Sequence, residues 1–365
     1  MGDHLETVRV GVVQAVPSFL DREGSIRKAV RLIEEAADLG VKVVVFPEGF
    51  IPAHPVWFHF HSATSRASRQ MATELFRNAV VVGGASTDEL AEAARRTGVW
   101  TVMGICEKRR NTTGTLWNSV IQFSPEGSIV SVHRKLTPTA GERIVHTGGD
   151  SEGLRFPTSS FGTISSLICG ENSNPLLVFS TIAQYPVIHA ALWPNHFSPH
   201  SPRMRDVILN ASRAVAYQGG CYVLNSAAVL DPETIERIAR DQADRDWLSD
   251  PDNVGGSCIV APNGEVLAGP VSGSEETILV ADLDLDQLFG SRAVHDHAGH
   301  YSRPDVFSVI VHPPTKPLFQ AFWLEHSGVE IGPDAVPEPP FAEAADVMPH
   351  RSSGHTNQGF EITGL

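Results

Sequence analysis

The sequence predicts an α/β protein with mixed β-sheets and with helices on their outer faces. The first observation is an early β-α-β unit, in which Val8–Ala15 and Val41–Phe46 are strand-like runs on either side of the helical stretch Glu23–Leu39. The second is that this alternation returns later in the chain. The third is a pair of hairpin signals, a Pro-Glu-Gly turn and an Asn-Gly turn. No stretch before about residue 310 is typical of a linker, so we expect one large domain.

The first helix and the strand after it are predicted from the spacing of apolar residues. Ile26, Val30, Ile33 and Ala37 recur at the period of an amphipathic helix. Gly40 follows them, and glycine commonly ends a helix in the left-handed conformation. The next apolar run is continuous, as in a buried strand, and stops at a proline, which cannot donate to a β-ladder.

The same alternation continues to about residue 282. Ser86 and Glu89 have the spacing of a capping box, which predicts a helix from there to about Gly98. Helical stretches are also predicted near Pro175–Gln184 and Arg203–Tyr217. Apolar and β-branched runs predict further strands at Val99–Cys106, Trp117–Phe123, Ile129–His133, Thr163–Cys169, Val187–Leu192, Cys221–Ala227, Ser257–Ala261, Val266–Leu267 and Thr277–Asp282.

Composition and charge exclude several classes of protein. With 365 residues, 42% of them apolar, the chain can bury a large core, which excludes disorder as its main state. The 28 basic and 42 acidic residues give a net charge of −14, which disfavours nucleic acid and anionic membranes as partners. No apolar run reaches the roughly 18 residues of a membrane span, and the N-terminus lacks a signal-peptide pattern. We therefore expect a cytoplasmic protein with no nucleic-acid or membrane partner.

The cysteines are too few and too scattered for a disulfide framework or a CxxC zinc site. There are four, at Cys106, Cys169, Cys221 and Cys258, which fits a reducing compartment. We interpret all of them except Cys169 as small core residues.

The composition changes near the C-terminus. Proline, small and polar residues dominate from Gly332 onward, so Gly332–Leu365 is predicted to be an extended or disordered tail. This tail has either no role or a role in subunit contact. Residues 1–331 are predicted to form a single domain.

Three reactive side chains, Glu48, Lys135 and Cys169, stand where predicted strands end. Because sites in α/β sheets lie beyond the carboxyl ends of strands, we expect the three to converge. The turn and the helix predicted after Cys169 should lower its thiol pKa and favour the thiolate. Glu48 could accept the thiol proton, and Lys135 could stabilise negative charge on an attacked substrate. Taken singly, such a thiol is more often a core residue, and such a Glu or Lys a solvated surface charge.

Four segments surround or follow these residues. They are FPEGFIPAHP around Glu48, HRKLTPTAGER around Lys135, LICGENSNPL around Cys169 and GHYSRPDVF at Gly299–Phe307. Together they resemble the nitrilase, or carbon–nitrogen hydrolase, superfamily, and within it the nitrilase branch. The resemblance extends from residue 8 to about residue 311. It implies a four-layer α-β-β-α sandwich with two mixed β-sheets.

The resemblance also implies a role for each catalytic candidate. Glu48 corresponds to the general base, Lys135 to the residue that stabilises the tetrahedral intermediate, and Cys169 to the nucleophile. Glu142 corresponds to a second glutamate that orients the lysine or the substrate. A surface ion pair with Arg143 is the alternative for Glu142. No metal or organic cofactor is required.

The implied activity is that of a nitrilase, which acts on carbon–nitrogen bonds other than peptide bonds. An organic nitrile would be hydrolysed to a carboxylic acid and ammonia through a thioimidate and a thioester on Cys169. Lys135 and the Gly170 N–H would stabilise charge on the nitrile nitrogen. Members of the family assemble through dimers, often into spirals or larger oligomers, so we expect at least a homodimer.

Other functions stay open on the sequence alone. The same four residues would serve an amidase or a carbamoyl-amide hydrolase, because amide and nitrile differ only in the electrophile. A nitrile or cyanide hydratase would stop at the amide. A non-catalytic oligomeric scaffold is disfavoured, because a buried cation, two carboxylates and a thiol are each costly to desolvate. A metal-dependent hydrolase is a further class.

Candidates for substrate binding lie close in sequence to the catalytic candidates. They are His54, Trp57, Gly170, Trp193 and His196. For His54 and Trp57, plain core packing is the alternative. Residues 52–55 and Gly170 differ from the commonest nitrilase sequences, which leaves the substrate preference open. The 16 histidines also raise the hypothesis of a metal site, although structural or surface histidines are the more common interpretation.

Overall fold

The computed structural model describes residues 4–314 of the chain. The predicted tail, Gly332–Leu365, lies outside the described residues. Within the described range, no helix is both long enough and apolar enough to cross a bilayer.

Twelve strands in the described residues form two six-stranded sheets. The strands are β1 (Thr7–Gln14), β2 (Val43–Val45), β3 (Trp100–Lys108), β4 (Leu116–Phe123), β5 (Ile129–Arg134), β6 (Thr158–Ser159), β7 (Gly162–Ile168), β8 (Pro186–Trp193), β9 (Tyr222–Ala227), β10 (Gly255–Val260), β11 (Val266–Ser272) and β12 (Thr277–Asp284). The strand order is β12-β1-β2-β3-β4-β5 in the first sheet and β11-β10-β9-β8-β7-β6 in the second.

The α-helices and several short 3₁₀ turns connect the strands. The helices are α1 (Arg22–Asp38), α2 (Arg66–Asn78), α3 (Ala85–Thr97), α4 (Pro175–Ile182), α5 (Met204–Gly219), α6 (Pro232–Ile238), α7 (Gln242–Ser249) and α8 (Gln287–Val294). The 3₁₀ turns are Val56–His59, Ala140–Ile144, Ser151–Leu154 and Cys169–Ser173.

Strand direction determines where the strands end. In the first sheet β1, β2 and β3 are parallel, and β4 is antiparallel to both β3 and β5, so β5 runs in the direction of β2. In the second sheet β7, β8 and β9 are parallel. The carboxyl ends of β2 and β5 therefore share one edge of the first sheet, and those of β7 and β8 share one edge of the second.

The two sheets pack face to face, and helices cover their outer faces. Val10 and Val12 of β1 belong to the same apolar cluster as side chains of the second sheet and of α5. Val13, from the opposite face of β1, packs with Ile26 and Ile33 of α1 and with residues of α3. Successive side chains of β1 thus point to opposite faces of the sheet, and both faces are buried. The structure confirms the four-layer α-β-β-α sandwich.

Polar side chains also cross between the sheets. Gln122 of β4 donates from Nε2 to the Ile164 carbonyl (3.2 Å) and to Ser166 Oγ (3.1 Å) on β7, and its Oε1 accepts from Trp100 Nε1 (3.0 Å). Ser226 Oγ of β9 donates to a carbonyl of β1 (2.6 Å). Such fully partnered groups restrict how one sheet can slide over the other.

The predicted strands are confirmed in kind, with shifted boundaries, whereas the predicted capping box is wrong. The helix that Ser86 was to open begins one residue earlier, with Gly84 at the N-cap, and the Thr87 hydroxyl accepts the Gly84 N–H at 3.1 Å. Helices α2, α6, α7 and α8 have no counterpart in the predicted elements. Each of them is short or buries few apolar residues, so few apolar positions mark it in the sequence. N-cap residues such as Ser65 and Asp231 could have indicated where α2 and α6 begin.

Gly104, in the middle of β3, lets the segment that carries Glu48 lie directly against the sheet. A Cβ at this position would stand 2.0 Å from the Pro47 carbonyl oxygen and 2.9 Å from Glu48 Cα. The same segment bonds to β3 through the Phe46 and Ile51 amides. The absence of a side chain at Gly104 is therefore what permits this placement of Glu48.

We predict that Gly104→Ala lowers the free energy of unfolding by about 3 kcal/mol, because the new methyl group meets backbone that has no room to move. Gly114→Ala is the matched control, since a Cβ there has no neighbour within 4 Å, and should change stability by less than about 0.5 kcal/mol. Urea unfolding of both variants measures the difference. Equal stabilities would contradict this account of Gly104.

Candidate active site

The carboxyl ends of β2, β5 and β7 bring Glu48, Lys135 and Cys169 together, with Glu142 beside them. Lys135 Nζ donates to Glu48 Oε1 at 2.9 Å and also to Glu142 Oε1. All four side chains are buried, Lys135 with 1% of its surface exposed. The alternative for Glu142, a surface ion pair with Arg143, is wrong, because the Glu142 carboxylate faces inward and Arg143 donates to the Pro138 carbonyl.

One amide group joins the two carboxylates. Asn118 Nδ2, on β4, donates to Glu48 Oε1 (2.6 Å) and to Glu142 Oε2 (2.9 Å). A buried pair of carboxylates with one ammonium carries excess negative charge, so extra donors are needed to hold both in place. Sequence reasoning missed Asn118, because an asparagine within an apolar strand carries no local signal of its partners.

Glu142 is held by two further groups on its own side of the site. It accepts the Thr139 N–H at Oε1 (2.6 Å) and contacts His146 Nδ1 through Oε2 (3.1 Å). The other ring nitrogen of His146, Nε2, lies 3.3 Å from Cys106 Sγ. Cys106 is thus a buried core thiol, as expected, but one that fixes the ring orientation of His146. Neither residue was predicted to belong to the site.

The charges of the site follow from burial and from the partners just described. Burial raises the pKa of Glu48 to about 7, a shift that the opposite charge of Lys135 only partly offsets. Burial also acts on Glu142, but the His146 hydrogen bond and the Lys135 charge outweigh it and lower the pKa of Glu142. The carboxylates likewise outweigh the effect of burial on Lys135 and raise its pKa, so the ammonium stays charged.

Cys169 has a strained backbone and a neutral thiol. Its φ of +51° lies in the left-handed region, where a residue with a side chain is strained by about 1–3 kcal/mol, a feature common at functional sites. The expectation of a lowered thiol pKa is wrong. Burial and the charge of Glu48 raise the pKa of Cys169, and Lys135 and the Gly170 N–H only partly oppose them. The following 3₁₀ turn is too short to provide a helix dipole, since α4 begins six residues later at Pro175.

A buried glutamate connects the lysine segment to the cysteine segment. Glu171 accepts the Leu136 N–H (2.9 Å) and the Ile168 N–H (3.0 Å), and it bonds to His133 Nε2 (2.9 Å). Leu136 follows Lys135, and Ile168 precedes Cys169. A single carboxylate therefore fixes the two reactive groups relative to each other. Its position two residues after Cys169 was the available signal.

The backbone of Cys169 is held by a second buried chain of hydrogen bonds. Asn172 Nδ2 donates to the Cys169 carbonyl (2.9 Å), and Asn172 Oδ1 bonds to His189 Nε2 (2.8 Å). His189 Nδ1 in turn contacts Ser165 Oγ (2.8 Å). Burial lowers the pKa of His189 to about 4, so it is neutral at pH 7 and orients Asn172 without adding charge.

The predicted substrate-binding residues occupy different surroundings. His54 lies beside the carboxylates, with Nδ1 3.5 Å from Glu48 Oε1. Trp57 is fully buried in an apolar cluster and packs edge-on against Phe19, the surroundings of a core residue. Trp193 is also fully buried, and its indole donates to Asn225 Oδ1 (3.0 Å). The Trp193 carbonyl accepts the Glu48 N–H (3.2 Å), so it positions the carboxylate through the backbone.

His196 and Gly170 both follow strands of the second sheet at their carboxyl ends. His196 follows β8 and is fully buried, and Gly170 directly follows the thiol. A Cβ at Gly170 would meet only Thr139 Oγ1, at 3.9 Å, so the glycine leaves space next to Cys169. Contact of these residues with substrate stays a prediction.

One group of residues has the composition of a metal site. Among residues 4–314, possible ligand atoms of Glu48, His54 and Glu142 lie within 4.8 Å of one another. Lys135 Nζ and Asn118 Nδ2 already donate to both carboxylates there. An ammonium therefore provides the positive charge that a metal ion would otherwise bring to these oxygens.

We predict that His146 acts on activity by holding Glu142. His146→Asn, whose amide nitrogen can replace Nδ1, should retain most of kcat. His146→Gln, whose amide reaches towards the Nε2 position, should lower kcat about 10- to 100-fold, the loss expected for a hydrogen bond to a charged group. Steady-state kinetics on both variants, with thermal unfolding to check folding, measures this. Equal activity of the two variants would show that the ring acts only by filling space.

Comparison with known proteins identifies the family. A model of the carbon-nitrogen hydrolase family matches residues 9–292. The chain is 37% identical over 310 residues to Nitrilase 2 from an unknown prokaryotic organism, which covers 84% of this chain and 93% of that protein. It is 34% identical over 310 residues to the aliphatic nitrilase of Sinorhizobium fredii, covering 83% and 95%.

Solved structures agree with the fold. The carbon-nitrogen hydrolase from Helicobacter pylori superposes with a TM-score of 0.63 at 21% identity, covering 84% of this chain and 98% of that chain. This likeness confirms the sandwich of two mixed sheets. The family match and the relatives extend over most of the chain, as the four segments around the candidate residues predict. The chain therefore belongs to the carbon-nitrogen hydrolase family.

Proposed function

We propose that this protein is a nitrilase, which hydrolyses an organic nitrile to the carboxylic acid and ammonia with Cys169 as nucleophile. The proposal rests on one observation. The Lys135 ammonium is held between Glu48 and Glu142, beside the end of β7, where the Cys169 thiol lies. A buried cation, base and thiol suit addition to an electrophilic carbon. The nitrilases among its relatives support a nitrile, rather than an amide, as that electrophile.

The first half of the reaction forms a covalent thioimidate. Glu48 accepts the proton of the Cys169 thiol as the sulfur adds to the nitrile carbon, so no free thiolate has to exist beforehand. The carbon–nitrogen triple bond becomes a double bond, and the proton that Glu48 took from the thiol passes to the nitrogen, which leaves Glu48 ionised again. Lys135 and the Gly170 N–H stabilise the charge that develops on this nitrogen.

The second half of the reaction releases both products. Glu48 removes a proton from a water molecule, which adds to the thioimidate carbon. The resulting tetrahedral intermediate expels ammonia and leaves a thioester on Cys169. A second water molecule then adds, the carbon–sulfur bond breaks, and the acid and the free thiol are formed. Two water molecules are consumed for each nitrile, and no oxidant or reductant is needed.

Glu142 acts by position in this scheme. Its lowered pKa keeps it ionised, so it holds Lys135 without competing with Glu48 for the thiol proton. The difference in pKa between the two carboxylates separates their roles, one as base and the other as orienting group. His146 contributes to this difference, because its hydrogen bond to Glu142 lowers the pKa of that carboxyl and does not reach Glu48.

We predict that purified protein releases acid and ammonia from members of a panel of aliphatic, aromatic and arylacetic nitriles. Cys169→Ala should lose this activity by more than about 10⁴-fold, because the bond-forming atom is gone. Cys221→Ala, a buried thiol of the core, is the matched control and should stay active. The panel includes the matching amides.

The other outcomes of this panel contradict the proposal in distinct ways. Activity on amides alone would make the protein an amidase, and accumulated amide would make it a hydratase. Activity that survives in Cys169→Ala but is lost on chelation would indicate a metal-dependent hydrolase. Inactivity towards every nitrile and amide would favour a non-catalytic oligomeric scaffold protein.

We predict that kcat/KM depends on one carboxylate with a pKa of about 7, the value for Glu48. The base must be ionised, so kcat/KM should fall about tenfold per pH unit below pH 7 and level off above it. Glu48→Gln should be inactive at every pH. For Glu142→Gln, kcat/KM should still fall at low pH, but its plateau at high pH should be lower than that of the wild-type protein. A pH–rate profile without a break between pH 6 and 8 would contradict the assignment.

The proposed setting is a homodimer or larger oligomer in the cytoplasm. Large apolar side chains are exposed on α4, α5, α8 and the segment after α8; they are Leu176, Tyr217, Phe289, Val294 and Phe307. Such an exposed apolar set is typical of a protein interface. We predict a mass of at least twice 39.4 kDa by light scattering, and a monomer at micromolar concentration would contradict this. Four free cysteines support a reducing compartment.

A further inference from the structure

A row of imidazoles, of which His54 and His196 are buried and His59 is half-buried, leads away from the carboxylates. His54 lies beside Glu48, with Nδ1 3.5 Å from Oε1. Burial lowers the pKa of His54, and the charges of Glu142 and of His59 also act on it. The ring centroid of His59 is in turn 5.4 Å from that of His196. We call His54, His59 and His196 the histidine row.

The histidine row belongs to the same edge of the sandwich as the thiol. His59 ends the 3₁₀ turn that follows the Glu48 segment, and His196 stands three residues after the end of β8. β8 is the parallel neighbour of β7, which ends at Ile168, directly before Cys169. The row therefore extends from the reactive groups over the carboxyl ends of the strands, where α/β folds bind their ligands.

Each member of the row has a ring nitrogen without a hydrogen-bond partner in the part of the chain that the structure describes. These atoms, all buried, are His54 Nδ1, His59 Nδ1 and His196 Nε2. Leaving such an atom unpaired typically costs about 1–3 kcal/mol. Three of them in succession beside a reactive centre indicate a place where a ligand completes the hydrogen bonds.

The role of His196 Nε2 is determined by the other nitrogen of the same ring. His196 Nδ1 lies 2.9 Å from the Phe197 carbonyl oxygen, which can only accept, so Nδ1 carries the proton. In the neutral ring Nε2 must then be an acceptor. The adjacent Asn195 has a buried carbonyl oxygen, Oδ1, that likewise lacks a partner in the described residues. Both atoms require a donor.

The ring of His196 is fixed and uncharged. Phe60 and Trp247 pack edge-on against it, each with its ring centroid 5.5 Å away. Burial lowers the pKa of His196 to about 3, and His59 adds to this effect, so the ring is neutral at pH 7. Burial lowers the pKa of His54 and of His59 as well. The row is polar without carrying positive charge, and it gives no countercharge to an anionic substituent.

We propose that His196, with His59 beside it, accepts a hydrogen bond from an uncharged hydroxyl or N–H group of the substrate. This inference rests on the proposed nitrilase function and names the substrate class, namely nitriles with a neutral hydrogen-bond donor on the chain or ring that bears the nitrile. A methyl group in place of the donor leaves the buried acceptor unpaired, and a carboxylate adds a charge that the row does not compensate.

The test uses sets of nitriles matched in shape. Terminal-hydroxyl alkanenitriles of increasing length, and ring-hydroxylated phenylacetonitriles, are each compared with the methyl isostere and with the carboxylate analogue. For at least one length or ring position, kcat/KM of the wild-type protein should be about 10-fold higher for the hydroxyl member than for the isostere. The carboxylate member should be the poorest of each set.

Variants assign this preference to the row. His196→Phe keeps a ring between Phe60 and Trp247 but removes the acceptor, so the hydroxyl-to-methyl ratio should fall to about 1 through a lower kcat/KM for the hydroxyl member. His196→Gln, which restores an acceptor near Nε2, should recover part of the ratio. His59→Phe should lower the ratio independently, and the exposed His200→Phe is the control that should leave it unchanged.

The outcomes separate this inference from the proposed function. Hydrolysis of the isosteres with no hydroxyl preference in the wild-type protein, or a carboxylate preference, overturns the substrate class and leaves the nitrilase intact. A hydroxyl preference that survives in both His196→Phe and His59→Phe also overturns it. Failure to hydrolyse any member overturns the nitrilase proposal and this inference with it.

Discussion

The ammonium of Lys135, buried between the carboxylates of Glu48 and Glu142, is the interaction on which the rest of the site depends. A buried ion pair stabilises a protein only when nearly every lone pair and proton has a partner, because desolvation of the charges costs several kcal/mol for each ion. Here two carboxylates share one ammonium, so the surrounding residues must supply the missing donors. Asn118 and His146 supply such donors to Glu48 Oε1 and Glu142 Oε2.

The same buried charges explain why the thiol rests in its neutral form. A thiolate next to two carboxylates would add a third negative charge to a site with one cation, so the pKa of Cys169 rises instead of falling. In the proposed mechanism, Glu48 is the group that takes the proton when the sulfur attacks, with a pKa close to neutral pH. Base and nucleophile would then be matched to each other by a common electrostatic environment, and neither would be activated in isolation.

Much of the fold could be predicted because its strands are long apolar runs whose local pattern and burial agree. Which strands pair with each other could not be predicted from the local sequence pattern. β12 follows the β10–β11 hairpin in sequence, yet it crosses to the first sheet and pairs with β1. The start of α3 shows the same limit on a smaller scale. Ser86 and Glu89 have the spacing of a capping box, but Thr87 makes the capping bond, because the path of the chain at Gly83 and Gly84 decides which hydroxyl can reach the free amides.

The sequence by itself determined the reactive residues of this protein and the sheet edge at which they stand, because Glu48, Lys135 and Cys169 each end a strand whose apolar pattern is local. Only the tertiary structure decided their charges and their partners. Asn118 and Glu171 act on the site across tens of residues of sequence. A pKa depends on burial and on neighbouring charge, neither of which is a property of a short segment. The histidine row has the same origin, since His54 and His59 come from the connection after β2 and His196 from the connection after β8, which meet only when the two sheets pack.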